Sequence, residues 1–277
     1  MEVTQIYHFT FSPTRTSQKV GAAIASGISS GQIVEKDFTR KPAELLSVPC
    51  SSLVLFSVPV YGGHVAPMAL ERFQKLKGDG TPAVVVVVYG NRDYEKALQE
   101  LASFVTQHGF KVVAAGTFIG EHSYSSEKHP IAVGRPDDED LVFARKFGTQ
   151  IKEKLYNTAS FEELNTVDVA RIPRPSQSFF SVVRFIFTVL RWRKKGLPMP
   201  SAPTVDSSLC THCCACVNVC PSGAIDLASP LETQAEQCIK CCACVKGCPQ
   251  GARTFDTPFA PLLAKYFPKR KENKVLL

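Results

Sequence analysis

Two cysteine runs, 28 residues apart, hold the chemistry most readily read from this chain. The first is Cys210-x2-Cys213-x2-Cys216-x3-Cys220-Pro221, and the second is Cys238-x2-Cys241-x2-Cys244-x3-Cys248-Pro249. Three cysteines at every third position let one tight loop wrap three iron corners of an iron–sulfur cube, with backbone amides pointing at the sulfurs. The proline then turns the chain away and frees the fourth thiolate to cross over. Structural zinc more often uses two C-x2-C knuckles across a longer gap, so the spacing favours iron–sulfur over zinc. Residues 210–224 and 238–252 match at 10 of 15 positions, an internal duplication.

Eleven cysteines are present and the two runs use eight. Cys214 and Cys242 occupy equivalent places in the two copies and read as small apolar fillers, as does Cys50 ahead of an apolar run. Cluster ligands must stay reduced, so a disulfide framework is not expected. No charged-then-apolar leader opens the sequence, and a cytoplasmic location is the expectation. Residues 171–195 carry Arg171, Arg174, Arg184, Arg191, Arg193, Lys194 and Lys195 with no acid, and these seven equal the whole formal excess of +7. The charge is a local patch, which argues against nucleic acid as a partner.

The elements that must position these groups follow from length and periodicity. At 277 residues, two domains are expected. From 1 to 156 strands and helices alternate. Strands are expected at 3–9, 32–38, 53–58, 83–89 and 111–118, the fourth nearly all valine, as in parallel strands buried on both faces. Helices are expected at 20–28, 67–75, 94–108 and 137–156, the last opened by four acids that suit the helix dipole. The pattern is an α/β doubly wound, five-stranded parallel sheet. A linker over 157–204 follows, with a helix at 179–192. A small metal-held domain occupies 205–257, and a basic tail 258–277.

In such sheets a ligand sits at the carboxyl ends of the strands. Three loops stand there. The first carries Ser12, Thr14, Arg15, Thr16 and Ser17 into a helix N-terminus, a combination suited to a phosphate monoester. The second, Pro59, Val60, Tyr61, Gly62 and Gly63, allows close backbone approach and stacking on a planar ring. The third is Tyr89, Gly90, Asn91, Arg92, Asp93 and Tyr94. With these loops, residues 1–156 resemble a flavodoxin domain, which binds FMN. The whole chain resembles the flavodoxin-domain ferredoxins, bacterial fusions of that module with a two-cluster, α+β ferredoxin. Pro13 and Arg15 stand where the flavodoxin phosphate loop has glycines. Pro13 removes a backbone donor, and Arg15 returns a positive charge. The resemblance implies FMN and two 4Fe-4S clusters. One cluster would use Cys210, Cys213, Cys216 and Cys248, and the other Cys238, Cys241, Cys244 and Cys220.

It further implies an electron relay between the flavin and the clusters, with an unidentified redox partner protein. Two alternatives stay open: a flavin-dependent reductase of a small-molecule acceptor, and a ferredoxin whose flavodoxin-like domain is vacant. No catalytic residue is assigned. The loop between Gly120 and Asp137 reads either as a lid or as a mobile excursion. The segment 179–192 is apolar apart from a polar stripe of Ser181, Arg184, Thr188 and Arg191. It is too short to span a bilayer. It reads first as a helix buried between the two domains, and second as a peripheral membrane contact through 179–195.

Overall fold

The computed structural model describes residues 3–29, 33–196 and 198–277. Gln32, expected to begin an edge strand, lies outside the described residues. The elements are β1 (Gln5–Thr10), α1 (Thr16–Ile28), β2 (Ile33–Asp37), β3 (Leu46–Val48), β4 (Ser52–Tyr61), β5 (His64–Val65), α2 (Pro67–Phe73), β6 (Leu76–Gly78), β7 (Thr81–Tyr89), α3 (Ala97–Gln107), β8 (Phe110–Ile119) and α4 (Asp138–Tyr156). They continue as α5 (Phe179–Lys194), β9 (Thr204–Val205), α6 (Ala215–Val219), α7 (Ala243–Lys246), β10 (Arg253–Thr254), α8 (Phe259–Tyr266) and β11 (Lys274–Leu276).

Five parallel strands lie in the order β2-β1-β4-β7-β8. This is the flavodoxin-like doubly wound order. Alternation along β7 divides the core: Val85 and Val87 face the α2/α3 side with Phe73, Leu98 and Leu101. Val84, Val86 and Val88 face the α1/α4 side with Val20, Ile24 and Phe147. Every residue of β7 is buried, which is why its sequence shows no polar alternation. On the second side α1 and α4 touch backbone to backbone. A Cβ on Gly148 would stand 2.1 Å from the Ile24 carbonyl oxygen, and one on Gly27 2.0 Å from that of Arg145. The start of α4 is held by a capping box in which Asp137 and Asp140 each accept the other's backbone N–H.

The C-terminal segment, expected as a basic tail, forms α8 and then β11, which pairs antiparallel with β8 and extends the sheet. The expected five strands are thus joined by a sixth from beyond the cysteine runs. Side chains of the first domain fasten the returning chain. Asn91 donates to the carbonyls of Phe267 (2.7 Å) and Lys269 (3.0 Å). Buried Arg135 donates to the Lys271 carbonyl at 2.7 Å while paired with buried Asp140. Asn273 accepts from the Ile119 amide and donates to Asp140.

The helix over 179–192 exists as α5, two residues longer at its C-terminal end. None of its residues is buried, so it is not the helix enclosed between two domains that its apolar composition suggested. Its inner seam, Val182 and Phe185, packs on Leu263, Phe267 and Ile131. The reason is geometric: α8 and the loop at 131 cover only one side of it. Cys50, expected as an apolar filler, is exposed in the turn before β4.

Replacing Gly148 with Ala forces α1 and α4 apart. The expected cost is about 2 kcal/mol, seen as a thermal midpoint lowered by roughly 5 °C with iron content unchanged.

Candidate functional site

The cysteine runs fold as two matching loops. His212 and Cys214 in the first, and Lys240 and Cys242 in the second, all have φ between 55° and 57°. This left-handed backbone is uncommon in residues other than glycine, and its repetition at matched positions turns each loop tightly about its thiols. Cys214 and Cys242 cap α6 and α7 in that conformation, a role that the filler reading missed. Pairing of β9 with β10, and an Asp206 N–H donated to the Ala252 carbonyl, closes the unit around both loops.

The fold brings the thiols of the two runs together, and Cys216 of the first run acts on Cys244 of the second. Cys210, Cys213, Cys214, Cys216 and Cys248 line one cavity, together with Arg253. Cys220 lies with Cys238, Cys241 and Cys244, close enough for its charge to add to the upward push that burial gives each of those thiols. Burial takes Cys241 up to about 12 and Cys244 up to about 11. Burial raises Cys242 in the same way, so the shift reports the packing of the second loop. Among the described residues no three His, Cys, Asp or Glu side chains converge on one point as a single ion would require. Arg253, which sequence reasoning did not single out, is buried. It donates to Thr233 and the Pro230 carbonyl, and its charge acts against the rise of Cys238 and Cys244. It therefore faces both sets.

The sets differ in surroundings. Cys213 is exposed and Cys210 partly so, whereas Cys241 and Cys244 are buried. The second loop is docked on the first domain, with Ile239 packed on the core beside β4. Tyr61, at the end of β4, has its phenol pushed well up by burial and then by the adjacent Cys241, Cys242 and Tyr124. Tyr124 is pushed up to about 12 by burial and by Cys242, Cys241 and Cys238. Arg72 of α2 donates to the Pro221 carbonyl at 3.0 Å, beside Cys220.

Tyr124 belongs to the long loop after β8. That loop, expected as a lid or a mobile excursion, is a clasp. Lys246 of α7 donates to Glu121 at 2.7 Å and to the Ser125 carbonyl at 2.8 Å, and Tyr124 packs on Phe255 at 5.4 Å. His122 accepts the Tyr124 amide N–H at Nδ1 (3.0 Å) and lies against Gly90. Burial, then Arg92 and Lys246, lowers its pKa to about 4.

The three sheet-edge loops differ in what their side chains have left to offer. In the first, Ser12 is buried and occupied: its Oγ accepts the Gln18 amide, and its own N–H goes to Thr39. Ser17 Oγ is buried without a partner at the start of α1. Thr14 and Thr16 are partly exposed, Arg15 is exposed, and Arg15 has φ 63° at the cap of α1. An unpartnered hydroxyl among first-turn amides fits a phosphate. In the second, Pro59 and Tyr61 are partly exposed and Gly62 is open. Gly63 (φ 89°) leaves room for Glu95, whose carboxylate would stand 2.4 Å from a Cβ there. In the third, Tyr89 and Tyr94 are buried edge-to-face at 5.6 Å, and Tyr94 donates to the Ile172 carbonyl at 3.0 Å. The Asn91 Nδ2 is spent on the returning chain while its Oδ1 is buried without a partner, Arg92 pairs with Glu95, and Gly90 lies under His122. Asp93 is buried against Arg174 (2.6 Å) and Gln177. This loop thus ties down the linker and the C-terminal segment.

Residues 203–226 match the model of a 4Fe-4S binding domain. No curated protein matches the sequence. Solved structures similar to the first domain include a flavodoxin from the domain Archaea, 16% identical over 56% of this chain and 100% of that one, TM-score 0.40. Flavodoxin 1 from Bacillus cereus has the same identity, coverage and TM-score. A flavone reductase is 11% identical over 59% of this chain and 66% of that one, TM-score 0.42. By its own strand order and by the family match, the chain joins a flavodoxin-like sheet to an iron–sulfur domain of the 4Fe-4S class.

Two outcomes are expected. Cys248→Ser should perturb the centre held by Cys210, Cys213 and Cys216, and Cys220→Ser the other, read by electron paramagnetic resonance and iron content. The reverse assignment contradicts the grouping. His122 is neutral when folded and has an ordinary pKa near 6.5 when unfolded, so unfolding takes up a proton between 6.5 and about 4. Its burial therefore costs nothing above pH 6.5 and destabilises progressively as pH falls towards 4. Buried His8 is also lowered, chiefly by burial, so the difference in thermal midpoint between wild type and His122→Gln isolates the clasp.

Proposed function

We propose that the protein is an intramolecular electron relay between FMN at the carboxyl edge of the sheet and two 4Fe-4S clusters. The observation that carries this reading is the position of Tyr61. It ends β4, leads into the expected ring-binding turn at Gly62 and Gly63, and stands against Cys241 and Cys242 of the second run. A flavin exchanges one or two electrons and the clusters move single electrons, so joining them in one chain converts between the two modes.

The chain's own residues have distinct parts. Ser17, Thr14, Thr16 and the α1 amides hold the phosphate, with Arg15 adding charge; Tyr61, Gly62 and Gly63 line the ring side. Cys238, Cys241, Cys244 and Cys220 form the inner ligand set, docked on the first domain. Cys210, Cys213, Cys216 and Cys248 form the outer set, and the exposure of Cys213 makes it the port for a redox partner protein. Tyr61 and Tyr124 exclude water between the inner set and the flavin loops. Arg253 offsets thiolate charge at both sets.

A second reading has its own support: the Asn91 Nδ2 and the Tyr94 hydroxyl are committed to contacts within the chain, which suits a domain that keeps the fold and holds no flavin.

Anaerobic purification with assays of released flavin, iron and sulfide separates the two. Flavin with eight irons per chain supports the relay; eight irons without flavin, and none taken up on adding FMN, supports the vacant domain. In the relay, Arg15→Glu weakens FMN on the order of tenfold and leaves riboflavin nearly unchanged. Equal loss of both ligands removes the phosphate role from this loop.

A further inference from the structure

We propose that α5 docks the protein on an anionic lipid surface, lying in the plane of the membrane. The helix presents a row of large apolar side chains to solvent: Phe179 (74% exposed), Phe180 (76%), Val183 (45%), Ile186 (50%), Phe187 (64%) and Leu190 (56%). At 3.6 residues per turn these six share one arc of about 120°, opposite the seam that packs on α8. Together they expose on the order of 600 Å² of apolar surface, at the upper end of what a soluble monomer carries as its largest patch.

The helix is anchored from behind, so the arc is a held feature. Phe185 meets Phe267 at 5.2 Å, Trp192 meets Phe259 at 5.4 Å, and Thr188 is 3.3 Å from the Tyr266 hydroxyl. Along the borders and C-terminal end of the arc stand Arg184, Arg191, Arg193, Lys194 and Lys195, all exposed. Among the described residues none of the five forms an ion pair with a carboxylate, whereas Arg174 and Arg270 in the neighbouring segments do. Five exposed cations beside an apolar arc match the layering of a bilayer interface, with apolar side chains at acyl depth and guanidinium groups at the phosphates.

Charge and shape decide against other occupants. A second copy placed arc to arc in parallel would bring five cations against five, and placed antiparallel it would set each C-terminal cluster of four cations beside Phe179 and Phe180 of the other helix with no countercharge. An acidic protein would satisfy the cations but would also have to cover six large apolar groups along about 24 Å of convex helix, more than a transient redox encounter buries. Among the described residues no helix is long and apolar enough to cross a membrane, and α5, at 16 residues, falls short of the roughly 20 needed. It therefore lies along the surface.

The test is flotation of the intact, iron-loaded chain with vesicles of neutral phosphatidylcholine, and with vesicles one-third phosphatidylglycerol. Binding to the anionic vesicles is expected, weak on neutral ones and reduced by salt. Phe180→Glu with Phe187→Glu, two exposed positions that leave folding and iron content intact, should weaken it at least about tenfold. The triple change of Arg184, Arg191 and Arg193 to Gln should weaken anionic binding on the order of a hundredfold and leave neutral vesicles unaffected. The proposal is overturned if the chain stays off anionic vesicles at low salt. It is overturned equally if the glutamate pair binds as wild type while the glutamine triple does not, which leaves attraction between charges alone and removes the apolar arc from the docking. Oligomerisation through α5 in place of vesicle binding assigns it to a second copy.

Discussion

The two halves of this molecule are held in one arrangement by the buried pairing of Arg135 with Asp140 and by what gathers around it. A buried ion pair is stable only when its remaining hydrogen-bonding capacity is met. Here Asp140 accepts from Asn273 and from the Asp137 backbone, and Arg135 donates to the Lys271 carbonyl. Every one of those partners beyond α4 comes from the returning C-terminal chain. The same pair therefore caps α4, seats β11 on β8 and fixes the exit of α8, on which α5 rests. Arg135 also terminates the long loop whose other end grips α7 through Glu121 and Ser125. The position of the cysteine unit over Tyr61 is set from both sides of that loop.

Much of this was legible in the residues. The valine run of β7, the small residues of α1 and the acids before α4 each specify an element by local physics, and the strand order follows from them. The 4Fe-4S class was legible because a metal site writes its geometry into short spacing. What escaped was long-range or backbone-borne. Three residues of β11 are too few to show a period, and nothing local in Lys274–Leu276 says that the segment crosses back to β8. The pair β3 and β6 is hidden for the same reason. The left-handed turns at His212 and Lys240 leave no mark, because neither residue favours that conformation. Asn91 and Tyr94 look like ligand residues by position, and only the fold shows that the chain itself has taken the Asn91 Nδ2 and the Tyr94 hydroxyl.

The amphipathic pattern of α5 illustrates a different limit. Its apolar residues surround most of the helix, a composition usual for a buried element. Periodicity reports which sides are apolar, but the cover on each side is decided elsewhere in the chain, here by the short α8 and the loop at 131. A similar asymmetry separates the cysteine loops. Ten of fifteen matched residues make the copies near twins, yet one is packed on the sheet domain and the other faces water. Near-identical ligand loops thus sit in different dielectric surroundings, the condition under which two chemically alike centres acquire different electron affinities.

The return of β11 also orders events at the ribosome. Strands β1 to β8 emerge early and can pair as they appear, but the outer edge of β8 has no partner until the last few residues follow. Everything between, including both cysteine loops, must be made while that edge is open. Its amides and carbonyls are a template for any passing strand during that interval. The segment that carries both cysteine runs is in this way translated before Lys274–Leu276 can seal the edge.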